Sequence, residues 1–415
     1  MKQRLIYWCL VVVSLGGFAS CKNDPTPDPP QTADRTVLVY MAADNSLSWR
    51  GDFGNKNLGQ IVRAMDGLKG NMLVYIDLPS EGATLYKIEG DGKTKTVVEK
   101  YGVENSASTE VLQRVLNTSM QKYPAKSYGL VLWSHGKGWV PSVLNIQGMR
   151  SRPESGDVSG TAVSGSEKEL WRPMENALVT KTFGADGSSE MEIPDMAAIL
   201  PKDRKLDFLI FDACFMSCVE VAYDLRHAAQ YIIASPTEIM GDGFPYGTVA
   251  PLFFRETLDP QAICSAFVDH YRNLTTPENG GSASIALIKT SEMDALASAA
   301  RDVFALDPAP VVDAGSVQYL ELLPNHVFYD LEDYISQFAS GTSQFEAFQR
   351  QLAQTVVYTD HTDRIYSAFG LYNGTHAFPC TRFCGFSTYI PRTNFPGYNV
   401  AHLQTAWAQA VGLVQ

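Results

Sequence analysis

The sequence predicts an α/β protein built on a mostly parallel, mixed β-sheet with helices on both faces. The first observation is a series of continuous apolar runs, such as residues 36–41, 128–133 and 206–211. Runs of this kind are typical of strands that are buried on both faces. The second observation is that apolar residues between these runs recur at helical spacing. The third is a length of 415 residues with 45% hydrophobic residues, which provides a large core and excludes a mostly disordered chain.

The predicted elements alternate along the chain. Strands are predicted at residues 36–41, 72–78, 128–133, 206–211, 231–234 and 284–288, and helices at residues 57–68, 108–120, 214–226 and 291–304. Residues 84–87 and 94–99 predict a β-hairpin, because the glycines at 90 and 92 are typical of a turn. Residues 367–371 and 385–390 predict β structure in a C-terminal extension that completes or flanks the sheet. Strands that alternate with helices favour parallel pairing.

Residues 141–192 interrupt this alternation. They are rich in Gly, Ser, Glu and Asp and show no clear periodicity. A loop of this length inside a compact domain is usually functional or disordered. Because an exposed loop is also a preferred site of proteolysis, its basic residues are candidate cleavage points, namely Arg150, Arg152, Lys168, Arg172 and Lys181.

The N-terminus is typical of an export signal. Lys2 and Arg4 precede an apolar run at residues 5–18, which is too short to span a membrane. Cys21 follows two small residues, as in the processing box of bacterial lipoproteins, although Phe18 replaces the usual aliphatic residue. We therefore predict a lipoprotein signal peptide at residues 1–20, a lipid on Cys21 and a Pro-rich tether at residues 21–35. This predicts a lipid-anchored protein of the bacterial cell envelope, at the outer membrane or cell surface. The alternative is an ordinary signal peptide with an incidental cysteine.

The charge and the cysteine content of the chain bear on nucleic-acid binding, disulfides and metal sites. The chain has 33 Lys plus Arg against 45 Asp plus Glu, which argues against nucleic-acid binding. Apart from Cys9 and Cys21, five cysteines remain, and an odd number in an exported protein implies a free thiol. A disulfide between Cys380 and Cys384 is one interpretation of their spacing, and the sequence does not decide it. No metal site is predicted, because no further Cys or His stands at zinc-binding spacing near the cysteine pairs.

Two candidate catalytic residues follow predicted strands. His135 lies after the strand at 128–133, and Cys214 lies after the strand at 206–211. Sites in open α/β sheets lie beyond the carboxyl ends of the strands, so the two residues meet if their strands are neighbours. A helix that begins at Cys214 would favour the thiolate, and His135 would act as base or imidazolium. The backbone N–H groups of Gly136 and Cys214 would then form an oxyanion hole. From the residues alone, an inert cysteine and a structural histidine remain the alternative.

Four blocks of sequence, which include both residues, resemble the clostripain family of cysteine peptidases, in the clan that also holds caspases and gingipains. They occur in the family's order and read VLVYMAADNSL at 37–47, LVLWSHGKGW at 130–139, FDACFMSCVEVAY at 211–223 and SPTEIMGDGFPY at 235–246. Similarity beyond residue 250 is weaker, as at residues 385–391. The resemblance implies a caspase-like α/β/α sandwich, with a catalytic core at residues 36–250 and a C-terminal α/β part of the same peptidase unit at residues 251–415.

The resemblance also implies specific roles. The family's nucleophile falls on Cys214 and its catalytic histidine on His135, while Asp212 and Asp242 match the acidic residues of its specificity pocket. It implies protein or peptide substrates that are cut after Arg or Lys, and self-cleavage within the loop at 141–192. No cofactor is implied. Some members of the family depend on calcium, but no acidic loop here has EF-hand spacing.

Several interpretations stay open at this stage. Lys137 stands where the family usually has Gly or Ser, which implies altered access to the cleft. Asp212 has an alternative role as the cap of a helix at 214. We expect the remaining residues to be structural, with Asp44 and Asn45 forming a turn, Glu238 acting as a local hydrogen-bond acceptor and Cys218 as a buried small residue.

Two other functions compete with proteolysis. One is a lipoprotein hydrolase with a different nucleophile, but residues 280–284 do not satisfy the G-x-S-x-G motif that a serine enzyme of this kind would show. The other is a catalytically inert binding lipoprotein at the cell surface that keeps a peptidase-like fold as a scaffold.

Overall fold

The computed structural model describes residues 32–141, 182–187, 189–202, 205–274 and 281–413. The predicted signal peptide, Cys21, the tether as far as residue 31 and the basic residues of the loop between 142 and 181 lie outside the described residues. None of the described helices has the length and apolar composition needed to cross a bilayer.

The structure contains strands and helices in the following order. The strands are β1 (Ala33–Ala42), β2 (Asn71–Leu78), β3 (Gly82–Ile88), β4 (Lys95–Gly102), β5 (Ala125–Trp133), β6 (Thr182–Asp186), β7 (Ser189–Glu192), β8 (Leu206–Asp212), β9 (Ala229–Ala234), β10 (Ser284–Lys289), β11 (Tyr329–Asp330), β12 (Val356–His361), β13 (Arg364–Tyr366), β14 (Ala377–Pro379) and β15 (Ser387–Thr388). The helices are α1 (Ser46–Gly51), α2 (Phe53–Ala64), α3 (Thr109–Lys122), α4 (Ile193–Ile199), α5 (Val219–Asp224), α6 (Tyr246–Phe253), α7 (Pro260–Arg272), α8 (Met293–Phe304), α9 (Leu331–Ala339), α10 (Ser343–Thr355), α11 (Pro396–Leu403) and α12 (Ala406–Val411).

One large mixed sheet organises the described residues. Its nine strands follow the order β12-β10-β9-β8-β5-β1-β2-β3-β4. The five central strands, from β9 to β2, are parallel, whereas β3, β4, β10 and β12 pair antiparallel at the two sides. The predicted α/β fold with a mixed sheet is confirmed, and the parallel pairing is confined to its centre.

Both faces of the central strands are buried, as their continuous apolar runs predicted. In β1, the alternate residues Val37, Val39 and Met41 belong to one hydrophobic cluster, and Leu38 and Tyr40 belong to another. Helices α2, α6 and α7 contribute to the first of these clusters, and α3, α5 and α8 contribute to the second. The result is the helix–sheet–helix sandwich that the resemblance implied.

The C-terminal part completes the sheet differently from our prediction. Residues 367–371 form no strand, and of residues 385–390 only the short β15 is a strand, which pairs with β11 outside the main sheet. The strand that extends the sheet is β12, which pairs antiparallel with β10. Sequence reasoning missed β12 because it lies at the edge of the sheet, where its residues are mostly half-buried and show no continuous apolar run.

The structure also shows the end of the long loop and the state of the cysteines. The end of the loop at 141–192 is not irregular, because strands β6 and β7 pair there as an antiparallel hairpin and helix α4 begins at Ile193. Cys380 and Cys384 are free thiols, as are Cys214, Cys218 and Cys264. The disulfide interpretation is therefore not supported.

Candidate active site

The adjacent strands β5 and β8 bring His135 and Cys214 to one edge of the sheet. The strands are parallel, and Trp133 pairs with Asp212 at their carboxyl ends. His135 and Cys214 each lie two residues beyond this pair. The backbones of the two loops touch, because a Cβ atom at Gly136 would lie 2.5 Å from the carbonyl oxygen of Cys214. A side chain at position 136 would therefore push the two loops apart.

The imidazole of His135 is half-buried and bonded to Ser46. Its Nε2 atom lies 2.9 Å from the Ser46 Oγ atom, at the start of helix α1. Burial lowers the pKa of His135 to about 4, and the positive charge of Lys137 contributes in the same direction. His135 is therefore neutral at pH 7 in this state. Sequence reasoning missed Ser46, although it follows β1, which neighbours β5 at the same edge.

The thiol of Cys214 contacts the backbone of Ile239. The Ile239 N–H donates to the sulfur at 3.4 Å, and the thiol faces the Ile239 carbonyl oxygen at 3.8 Å. The pKa of the Cys214 thiol is raised to about 12, mainly by burial and next by the negative charge of Glu238, with a lesser contribution from Asp212, whereas the hydrogen bonds of the Ile239 and Cys214 amides lower it. The cysteine is therefore a neutral thiol at pH 7 in this state.

The predicted helix at 214–226 forms only over Val219–Asp224, so the prediction that its N-terminus favours the Cys214 thiolate is wrong. Helix α5 has only six residues and begins at Val219. The residues before it bond instead to the chain after β9, through Phe215 N–H to the Thr237 carbonyl at 3.0 Å and Ser217 N–H to the Ser235 carbonyl at 2.9 Å. Phe215 has a φ of 61°, which directs the chain into a turn instead of a helix.

The hairpin β6–β7 covers the loop that carries His135. The Gly184 N–H donates to the His135 carbonyl at 2.9 Å, and the Lys137 N–H donates to the Thr182 carbonyl at 3.2 Å. The Lys137 ammonium forms an ion pair with Glu190, with side chains only 6% and 14% exposed. Lys137 therefore binds the hairpin at the end of the predicted cleavage loop, instead of projecting into an open cleft.

Asp212 lies buried beneath the loop that follows β9. Its Oδ2 atom accepts hydrogen bonds from the Tyr246 hydroxyl at 2.9 Å and the Phe244 N–H at 3.1 Å. Burial raises the pKa of Asp212 to about 6, although these two hydrogen bonds act in the opposite direction. The helix-capping alternative for Asp212 is wrong, because α5 begins seven residues later and Cys218 stands at its N-cap position.

Asp242 is exposed on the same loop. Two side chains fix the backbone of this loop. Asn57 donates to the Asp242 carbonyl at 3.0 Å, and the Tyr271 hydroxyl donates to the Gly243 carbonyl at 2.6 Å. Asp242 lies three residues after Ile239, which contacts the Cys214 thiol. The loop therefore runs from the thiol to an exposed carboxylate.

The turn after β1 behaves as predicted for Asn45. Its side-chain oxygen caps helix α1 through the Leu47 N–H at 3.0 Å, and its amide donates to the Ala185 carbonyl at 3.0 Å. Asn45 therefore joins the β1 turn to the hairpin over His135. Among the described residues, no group of three or more His, Cys, Asp or Glu side chains is arranged to hold a metal ion.

Comparison with known proteins agrees with this arrangement. The sequence profile of the clostripain family matches residues 39–147 and 168–395, which include the strands and loops of the candidate site. The chain belongs to the clostripain family. Clostripain from Hathewaya histolytica is 28% identical in an alignment of 246 residues that covers 52% of this chain and 41% of that protein. The chain therefore aligns with less than half the length of that relative.

Solved structures of clostripain-family proteins cover almost all of this chain. An inactive zymogen of a C11 protease from Parabacteroides distasonis is 34% identical, with a TM-score of 0.73 over 92% of this chain and 99% of that one. A secreted C11 cysteine protease from Bacteroides thetaiotaomicron, solved with an irreversible peptide inhibitor, is 30% identical, with a TM-score of 0.73 over 91% and 98%. The predicted family and fold are confirmed, and membership places the chain among the cysteine peptidases.

Proposed function

We propose that this protein is a cysteine endopeptidase that cleaves after Arg or Lys, with Cys214 as nucleophile and His135 as its proton-transfer partner. The observation that carries the proposal is the meeting of these two residues at the carboxyl ends of β5 and β8 in a clostripain-family fold. A nucleophile and a base that share one edge of an α/β sheet have the arrangement that acyl transfer needs. No observation favours an inert binding protein.

The proposed reaction begins with proton transfer. In the peptide-free state both groups are neutral, since burial holds the pKa of Cys214 near 12 and that of His135 near 4. The proton must therefore move from sulfur to imidazole as the peptide binds. The sulfur then bonds to the peptide carbonyl carbon, and the N–H groups of Gly136 and Cys214 stabilise the oxyanion.

The remaining steps restore the enzyme. The imidazolium of His135 donates its proton to the leaving amine, and the C–N bond breaks to leave a thioester on Cys214. His135 next removes a proton from water, the resulting hydroxide attacks the thioester, and the thiol leaves with that proton. These steps use side chains and backbone alone, so we propose that the reaction needs no cofactor.

For the specificity pocket, we expect Asp242→Ala to lower kcat/KM for Arg peptides about thirtyfold, or about 2 kcal/mol. A carboxylate binds a cationic side chain strongly once the bound peptide excludes water from the pair. The Arg guanidinium can form two parallel hydrogen bonds to the carboxylate, whereas the Lys ammonium acts as a point charge. Cleavage after Arg should therefore exceed cleavage after Lys. The measurement is kcat/KM for fluorogenic peptides that differ only in the residue before the cut.

Asp302→Ala is the matched control for Asp242, because Asp302 is an exposed aspartate on α8, outside the site. It should leave kcat/KM unchanged. If Asp242→Ala cleaves the Arg peptide as well as wild type, the pocket carboxylate is not Asp242. Asp212, which lies beneath the same loop, then becomes the next candidate, tested by Asp212→Asn.

We further propose that the enzyme cuts its own loop between residues 141 and 192. Support comes from the basic residues of that loop and from the hairpin at its end, which packs on the His135 loop. Purified wild type should yield two chains that remain associated, with the cut after a basic residue between Arg150 and Lys181. Cys214→Ala should remain a single chain in a mass spectrum. A cut that persists in Cys214→Ala would show that another protease makes it.

The predicted lipid anchor gives a separate test in cells. We propose that Cys21 carries the lipid that holds the protein at the bacterial cell envelope, with residues 21–35 as the tether. Cys21→Ala should move the protein from the membrane fraction to the soluble fraction, because acyl chains and no spanning segment hold it. Retention of Cys21→Ala in the membrane fraction would contradict the lipoprotein assignment.

A further inference from the structure

Glu238 is a buried carboxylate beside the Cys214 thiol. Its side chain belongs to a residue only 9% exposed, on the segment that follows β9. The next residue, Ile239, contacts the Cys214 sulfur through both its N–H and its carbonyl group. The negative charge of Glu238 is also the largest electrostatic influence that raises the pKa of the Cys214 thiol. Glu238 is therefore a neighbour of the candidate nucleophile.

One oxygen of this carboxylate is left without a partner. The Oε1 atom accepts a hydrogen bond from the Ala368 N–H at 3.0 Å. The Oε2 atom is buried and has no hydrogen-bond partner within the described ranges. By contrast, both oxygens of the nearby buried Glu321 are used, by the amides of Leu323, Val327 and Phe328 and by His326. Leaving a buried acceptor unsatisfied is costly, so an unused oxygen beside a nucleophile points to a ligand.

The surroundings of Glu238 supply no positive charge. Across the part of the chain that the structure describes, no Lys, Arg or His forms an ion pair with it. The pKa of Glu238 is raised to about 7, mainly by burial, against the lowering effects of the Ser367 hydroxyl and the Ala368 amide and with a small contribution from the negative charge of Glu321. A cationic group would relieve the cost of burying this carboxylate.

Glu238 and Asp212 lie on different sides of the sheet edge. Asp212 is bonded to Phe244 and Tyr246, which belong to the hydrophobic cluster on the α2, α6 and α7 face. Glu238 is bonded to Ala368, and the neighbouring Phe369 packs against the cluster on the opposite face. The two carboxylates are therefore held by separate partners, and we expect them to contact different groups of a bound peptide.

We propose that Glu238 is a second specificity determinant, whose free Oε2 atom accepts a hydrogen bond from a cationic side chain of the substrate at a position other than the one immediately before the cut. The inference rests on the proposed function, because it assumes that Cys214 attacks a bound peptide. The substrate class is thus a peptide with two basic residues, one at the cut and one near it. The Ala368 N–H holds the Glu238 carboxylate through its other oxygen, Oε1.

The test compares peptides that differ at one position at a time. Each has an accepted residue at the cut, and each of the three preceding positions carries Lys, norleucine or Glu in turn. We expect wild type to prefer Lys over norleucine at one of these positions by at least about tenfold in kcat/KM, as for a hydrogen bond to a charged group. Glu238→Gln should reduce this preference to about threefold or less and should relieve the discrimination against Glu. Glu256→Gln, at an exposed position, is the matched control.

A second measurement, alkylation of Cys214, distinguishes a specific effect of Glu238→Gln from unfolding or loss of turnover. Alkylation of Cys214 by iodoacetamide without peptide, measured against pH, should show a lower apparent thiol pKa in Glu238→Gln than in wild type, because a negative charge has been removed. Peptidyl alkylating agents with the same sequences should label Cys214 with the same Lys preference, whether or not the peptide is turned over.

The outcomes are distinct. If wild type cleaves only after residues other than Arg or Lys, the proposed cleavage specificity fails, but the comparison at the preceding positions still tests Glu238. If the Lys preference is absent from wild type, or equal in wild type and Glu238→Gln, Glu238 is a structural residue and the inference is overturned. An enzyme that is neither able to cleave nor labelled by any of these peptides would overturn the proposed function and this inference together.

Discussion

Cys214→Ala is expected to lower kcat/KM at least about a thousandfold while leaving the fold intact. Removal of a covalent nucleophile abolishes the acyl-enzyme route, and only binding and oxyanion stabilisation remain to accelerate hydrolysis. The fold should tolerate the change because Cys214 is half-buried and its hydrogen bonds to Ile239 are long, at 3.4 and 3.8 Å. The measurement is hydrolysis of an Arg peptide, with unfolding by denaturant recorded for the same samples.

The comparison variant for this experiment is Cys264→Ala. Cys264 is also a cysteine, but it is buried on α7 within the cluster on the opposite face of the sheet from α5. It should lose some stability, as expected for a small cavity, and keep its kcat/KM. His135→Ala should lose activity to a similar extent as Cys214→Ala, and the double variant should lose no more than either single one. Residual activity of Cys214→Ala near the wild-type value would rule out Cys214 as the nucleophile.

His402→Ala is expected to produce the largest loss of stability, about 3–5 kcal/mol. The His402 Nε2 atom lies 2.8 Å from the Glu220 Oε1 atom, and the two side chains are 1% and 0% exposed. Burial alone would raise the pKa of Glu220, but the hydrogen bond and charge of His402, with the Thr388 hydroxyl, outweigh it and keep that pKa below its usual value. Removing the histidine takes away a hydrogen bond of the buried Glu220 carboxylate. The measurement is the free energy of unfolding in denaturant at pH 7.

This pair also connects the C-terminus to the candidate site. His402 lies on α11 and Glu220 on α5, the first helix after Cys214. The matched control is His227→Ala, an exposed histidine that should change stability by no more than about 0.5 kcal/mol. Since the pKa of Glu220 is lowered, the stability that its ionised form contributes is present at neutral pH and is lost as the pH falls below about 4. Equal stability of His402→Ala and wild type at pH 7 would show that the pair contributes nothing to folding.

Sequence patterns predicted the centre of the fold best. The strands β1, β2, β5, β8 and β9 were predicted because each is buried on both faces and therefore appears as a continuous apolar run. The hairpin of β3 and β4 was predicted from its glycine turn. Elements at the periphery failed, because half-buried strands such as β12 lack that signal and because local helical spacing at residues 214–226 was overridden by backbone hydrogen bonds to residues 235 and 237.

The sequence by itself determined the family, the central strands and the two positions, 135 and 214, that follow neighbouring strands. Those signals are local, since a buried strand and the motif at its end lie within about ten residues. Only the tertiary structure decided what surrounds the two side chains, because their partners lie far away along the chain. Ser46 is 89 residues from His135, Ile239 is 25 residues from Cys214, and Ala368 is 130 residues from Glu238. Burial by these distant segments sets the protonation of the candidate dyad and leaves one Glu238 oxygen without a partner, and no local pattern encodes either result.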